Sequence, residues 1–226
     1  NAKNNAAFTD AKPLTWGVNT DDNNLNYLYI GENKHENEAV PSYGSWFWGF
    51  TLPAGNYYLA EDLKLSYAIR IEKNATVNLC LNGHSITKIT DDSSGFEGVI
   101  TIDEGGTLSL CDCKNSGKIA HESNKIGRGV QVGGSKSANF NMYGGEISGN
   151  NAGSSSDQGQ DGAGVYMAGG AFNMYGGKIT DNRVESNQKQ NNGVGGVYAE
   201  SGTFTMYGGE ISGNTSPKHG GGVYMT

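Results

Sequence analysis

Ala171–Asn182 reads AFNMYGGKITDN, and the same phrase stands on either side of it, as NFNMYGGEISGN at Asn139–Asn150 and TFTMYGGEISGN at Thr203–Asn214. Phe140, Phe172 and Phe204 are spaced by 32 residues, as are Met142, Met174 and Met206, and Ile147, Ile179 and Ile211. A fixed period of this length marks a repeat architecture, in which one supersecondary unit stacks on the next. Within each unit the apolar residues alternate with period two. Phe172 and Met174 face one way and Asn173 the other; Val165 and Met167 face one way and Tyr166 the other. That is the periodicity of a strand, not of a helix.

Outward from this stretch the register persists in degenerate form. Leu108 to Phe140 and Leu110 to Met142 are again 32 residues, and Val77, Leu79 and Leu81 alternate in the stretch before them. Three short strands per repeat, cornered by glycines, make one triangular coil. An isolated coil cannot bury its apolar face, and stacking lets neighbours do it for one another. The expectation is an all-β, single-stranded parallel β-helix over Thr51–Thr226, right-handed as parallel crossovers are. Asn1–Phe50 does not repeat and is expected to be an irregular capping segment, since a first coil exposes core and unpaired backbone. The chain stops inside a repeat, at GGGVYMT, so further coils or another domain are expected beyond it.

Stacking near-identical coils puts like on like. Phe140, Phe172 and Phe204 are expected as an internal column. Lys118, Glu146, Lys178 and Glu210 each precede an inward Ile and form an outer column of alternating sign. The pairs Gly144–Gly145, Gly176–Gly177 and Gly208–Gly209 supply corner geometries. Asn150, Asn182 and Asn214 fall where strand meets loop, with amides able to bond from coil to coil.

The GGEI and GGKI runs, followed by ISGN or ITDN, resemble the GGAI and FxxN repeats of polymorphic outer-membrane proteins. They are also similar to repeats of adhesin-like β-helix proteins on anaerobic bacterial surfaces. Glu or Lys stands where GGAI has Ala, and Ile where FxxN has Phe. The resemblance covers Thr51–Thr226 and implies an exported protein, extracellular or at the cell surface, with an adhesive or glycan-directed face.

Composition narrows the partners. The formal charge is -7 and no basic stripe is visible, which argues against nucleic acid. No apolar run approaches the ~20 residues that span a bilayer. Cys80 follows Val77 and Leu79 as Cys111 follows Leu108 and Leu110, so the two are expected in adjacent coils, close enough to bridge, with Cys113 unpaired. Partly buried thiols are the other reading of these residues.

No residue set spells out a reaction. Parallel β-helices also carry polysaccharide lyases and glycoside hydrolases, which need carboxylates on outward strand positions of consecutive coils. Here those positions hold Gln131, Tyr166, Tyr198 and Tyr224 on one face, and Asn141, Asn173 and Thr205 with Tyr143, Tyr175 and Tyr207 on another. The acidic pairs Asp91–Asp92 and Asp103–Glu104 read as solvated loop residues and are the first candidates should there be catalysis. Asp157, Asp161 and Asp181 have the oxygen chemistry for weak Ca²⁺ binding, without a dense DxDxDG loop. His35, His84, His121 and His219 share no metal spacing and read as surface or half-buried histidines; no cofactor or metal site is expected.

The role expected is a non-catalytic surface module for adhesion or glycan binding, its partner a host or plant glycan or a surface protein. A β-helix lyase or glycosidase, and a spacer presenting another domain, are the alternatives. The ligand is expected on the ladder Tyr166, Tyr198 and Tyr224, and failing that on Trp46 and Trp48. Those tryptophans lie with Phe50 in SWFWGF (Ser45–Phe50), which reads either as the cap over the first coil or as a sugar-stacking platform.

Overall fold

A computed structural model describes residues 10–18, 26–35, 38–42, 45–92, 97–133, 138–153, 162–185, 193–217 and 219–226, with the backbone alone at 18, 26–27, 35, 38–42 and 45–48. The regular elements among them are all strands. They wind as a parallel β-solenoid whose three faces are three sheets.

The first face stacks Gly55–Leu59, Thr76–Cys80, Thr107–Cys111, Asn139–Met142, Ala171–Met174 and Thr203–Met206, each parallel to the next. The second stacks Leu63–Leu65, Ile86–Lys88, Lys118–His121, Glu146–Ser148, Lys178–Thr180 and Glu210–Ser212. The third stacks Ser45–Leu52, Ala68–Ile71, Gly98–Ile102, Arg128–Val132, Val165–Met167, Val197–Ala199 and Val223–Met225.

The expected register holds. Leu108 pairs Phe140, Phe140 pairs Phe172 and Phe172 pairs Phe204. The phenylalanine rings stack with centroids 4.7 and 5.0 Å apart inside the coil. Parallel strands ~4.8 Å apart set that spacing. Lys118, Glu146, Lys178 and Glu210 are successive partners on the second face, with ion pairs of 3.4 Å for Lys118–Glu146 and 3.7 Å for Lys178–Glu210.

The corners also follow the sequence, with one refinement. In each glycine pair the second member takes the left-handed backbone: φ is +85° at Gly145, +87° at Gly177 and +96° at Gly209. Where strand meets loop, the bend falls on the residue before each asparagine, at Gly149, Asp181 and Gly213 (φ 70°, 54° and 63°). The asparagines are thereby free to form a ladder. Asn150 Nδ2 donates to Asn182 Oδ1 at 2.9 Å, and Asn182 Nδ2 to Asn214 Oδ1 at 3.0 Å. Asn150 and Asn182 are fully buried.

The N-terminal segment extends two of the three sheets. Lys12–Val18 joins the first face parallel to Gly55–Leu59, and Asn26–Ile30 and Asn33–His35 continue it antiparallel. Leu14, Leu28 and Ile30 close the end of the core. Parallel stacking on the third face begins before Thr51: Gly49 pairs Ala68 and Phe50 pairs Ile69. Glu38–Ser42 then covers the edge of Ser45–Leu52 antiparallel. The edge of the third face thereby passes from Ser45–Leu52 to the shorter strand Glu38–Ser42.

Candidate functional site

The outer surface of the first face carries two parallel columns. Asn56, Asn78, Ser109, Asn141, Asn173 and Thr205 occupy equivalent outward positions in six successive strands. Their amides bond along the axis, Asn78 Nδ2 to Asn56 Oδ1 at 2.8 Å and Asn173 Nδ2 to Asn141 Oδ1 at 3.1 Å. Two residues further along each strand, on the same side by strand alternation, runs the second column. It begins with Tyr58, Cys80 and Cys111. One step beyond the pairs Leu110–Met142, Met142–Met174 and Met174–Met206, it continues as Tyr143, Tyr175 and Tyr207.

Those last three tyrosines are exposed by 53%, 43% and 67%. Their rings stack at 4.8 and 4.9 Å with planes 5° and 4° apart. Rings stacked so closely spend their faces on one another. What they turn to solvent is a row of ring edges and hydroxyls, beside a row of amides and hydroxyls. This surface presents hydrogen-bonding groups along its length and offers little area for face-on stacking.

The ladder on which the ligand is expected is largely buried. Gln131, Tyr166, Tyr198 and Tyr224 are in register on the third face as read from the sequence, and the tyrosines stack at 5.7 Å. But Tyr198 is only 6% exposed, and Tyr166 and Tyr224 are half-buried. The chain at Gly162 passes over this ladder, so close that a Cβ there would lie 3.0 Å from Tyr198 Cβ. The Arg128 guanidinium sits 4.0 Å over the Tyr166 ring, and the Tyr166 hydroxyl donates to Glu200. Burial, and then the bond to Glu200, push the Tyr166 phenol up.

The same outer face is buried earlier in the solenoid, where it holds charge. Arg70 is 1% exposed. It is paired through Nε (3.2 Å) and Nη2 to Asp103 and lies 3.6 Å from Glu97. Gly49 packs against its stem; a Cβ there would meet Arg70 Cδ at 2.6 Å. At the adjoining corner Lys88 lies 3.4 Å from Asp92 and 3.7 Å from Glu97. Burial pushes Glu97 up to about 7, and raises Asp92 and Asp103 despite the cations beside them. The acidic pairs are therefore split. Asp92 is buried and Asp103 is locked on Arg70, whereas Asp91 and Glu104 meet Lys125 and Lys73 at the surface.

His121 is neither at the surface nor half-buried. It is 4% exposed and heads the asparagine ladder: its backbone N–H donates to Asn150 Oδ1 at 3.0 Å and its Nδ1 is 3.1 Å from the same oxygen. Burial, helped by Lys88, pushes its imidazole down to about 4, so it is neutral at pH 7. A signal for both residues exists in the sequence. Lys88 and His121 follow Ile86 and Ile119 by two, the inward parity that Leu65 holds after Leu63. A polar residue at an apolar parity is a buried polar group that must find partners.

Cys80 and Cys111 are opposite one another in register, and all three cysteines are free thiols. Trp46 and Trp48 lie in the strand Ser45–Leu52, opposite Pro41 and Ala39; their side chains lie outside the described residues. So do Asp157 and Asp161, while Asp181 is exposed. Among the described residues no three His, Cys, Asp or Glu are grouped to hold a metal ion, and no helix is long and apolar enough to cross a membrane.

Fold and surface define a parallel β-solenoid with one exposed amide-and-tyrosine outer face and one outer face whose central side chains are buried. The chain matches no family model, no curated protein and no solved structure.

Proposed function

We propose that this chain is a non-catalytic, adhesin-like surface module, working outside the cell or on its surface, whose first face binds a glycan of a host or plant or a glycan-bearing surface protein. The observation that carries the reading is the pairing of the exposed column Tyr143, Tyr175 and Tyr207 with the column Asn141, Asn173 and Thr205. A polyhydroxylated chain lying along the axis meets a donor or acceptor at every ~4.8 Å step, on a scaffold already ordered before binding. Tyrosine adds contact area at small entropic cost. The exposed column takes over here the role first expected of Tyr166, Tyr198 and Tyr224, because it is accessible.

A β-helix glycosidase or lyase is the second reading, favoured by Glu97, whose carboxyl is held near 7, a value suited to general acid work. It ranks behind because Glu97 is buried among Arg70 and Lys88. A glycan array probed with the folded chain separates the two. Retention of glycans without shortening them supports the module; products of cleavage that vanish in Glu97→Gln support the enzyme.

A further inference from the structure

Where the chain leaves the second face for the third, one amine and two carboxyls are shut away from water together. Lys88 ends the strand Ile86–Lys88 and turns inward in the column Leu65, Lys88, His121. Its Nζ lies 3.4 Å from Asp92 Oδ1 and 3.7 Å from Glu97 Oε2. The Lys88 and Asp92 side chains are 3% and 1% exposed, and that of Glu97 10%. The corner that brings them together is anchored to the coils on either side. The N–H of Ile89 donates to Leu65 O at 2.9 Å and the Thr90 hydroxyl to Ser66 O at 2.6 Å, while the N–H of Asp92 donates to Ile126 O at 2.6 Å. The other Glu97 oxygen, Oε1, lies 3.6 Å from Arg70 Nη1.

We propose that Lys88 and Asp92 are the reactants of a self-catalysed cross-link, an isopeptide bond between Lys88 Nζ and Asp92 Cγ, with Glu97 as its acid–base catalyst. In water an amine and a carboxylic acid resist condensation because both are charged and solvated. Burial strips that solvation, and a neutral amide in place of the pair removes two charges from the interior. The anchored corner supplies the proximity that two free molecules lack. Burial also raises the Asp92 and Glu97 carboxyls, Glu97 to about 7, toward the protonated forms that addition and loss of water use. Asp92 rather than Glu97 is the acceptor because it is the nearer and the more buried of the two, whereas Glu97 is shared with Arg70.

The step balances without any co-reactant. Lys88 passes a proton to the Asp92 carboxylate, and the neutral amine adds to Cγ, forming the N–C bond. Glu97 gives its proton to the departing hydroxyl and takes one from the nitrogen as the C–O bond breaks. One water leaves, Glu97 is restored, and nothing is oxidised or reduced. Until the bond forms, Asp92 remains a titrating carboxyl.

The test is the mass of the folded wild-type chain, intact and then reduced and digested with trypsin, which cuts in turn after Lys73, Lys88 and Lys114. The expected result is a chain one water lighter than its sequence, no cut after Lys88, and a peptide of residues 74–114 that is one water short. Asp92→Ala and Glu97→Gln, each with a β-rich circular-dichroism spectrum, should keep their full mass and be cut after Lys88. The wild-type readouts need no variant to fold. A folded wild-type chain of full mass overturns the proposal. So does loss of water with Lys88 still cut, the mark of a cyclised aspartate, and so does a bond that persists in Asp92→Ala, which puts the link on Glu97. A bond that forms as fast in Glu97→Gln as in wild type overturns the role given to Glu97.

Discussion

Glu97 and His121 are buried titratable groups with opposite consequences for stability. Glu97 is raised from 4.5 to about 7, so between those values the folded chain holds a proton that the unfolded chain has released. Stability from this group therefore falls as pH rises through that window. His121 is lowered from 6.5 to about 4, so between those values the unfolded chain takes a proton that the folded chain refuses, and stability rises with pH. The two slopes oppose each other, with Asp92 and Asp103 adding to the fall. Thermal melts across this range are expected to show Glu97→Gln tilted toward rising stability relative to wild type, and His121→Gln tilted toward falling. Variants that both keep the wild-type profile would show that the groups titrate as if solvated. At the same scale, Asn182→Leu removes a buried amide that donates to Asn214 and to Ile147 O and accepts from Asn150. It should cost about 3 kcal/mol in urea unfolding, because the neighbours' polar groups stay buried without it.

The strands are legible in the sequence because one phrase recurs at a fixed interval, and repetition fixes register without any knowledge of the turns. The alternation Lys118, Glu146, Lys178, Glu210 is a second, independent reading of that register, and Lys118–Glu146 and Lys178–Glu210 form ion pairs along it. Glu146→Lys puts three like charges in a row. It is expected to lower stability by roughly 0.5–1 kcal/mol at low salt, with the loss shrinking as salt is added. No salt dependence would mean that the column is ordered by backbone pairing alone. What is not legible is any feature without a period. The strand Ser45–Leu52 belongs to the parallel stack, but its aromatic run has no counterpart in later coils, so the boundary at Thr51 falls within it. Arg70 sits between Ile69 and Ile71, an alternation that in an open sheet means solvent. Its burial comes from Asp103, Glu97 and Gly49, which the pattern of its own strand does not contain.

Over the whole molecule, the two faces with outward tyrosines differ in what passes over them. Both ladders follow from the repeat, which says that Tyr143, Tyr175 and Tyr207, spaced by 32 residues, are equivalent, and likewise Tyr166, Tyr198 and Tyr224, spaced by 32 and 26, but not which set meets solvent. That is decided by what packs against each set, and the approach of Gly162 to Tyr198 has no signal in the period. The choice between the two ladders is the claim on which the functional reading rests. The most direct measurement compares two double variants on the same glycan array, Tyr143→Ser with Tyr175→Ser, and Tyr166→Ser with Tyr198→Ser. The first should lose glycan binding by tenfold or more while its circular-dichroism spectrum and melting temperature stay near wild type. It replaces exposed side chains, whereas the second pair mainly lowers the melting temperature by opening a half-buried stack. Full retention of binding by the Tyr143/Tyr175 variant would contradict the assignment of the site to the first face.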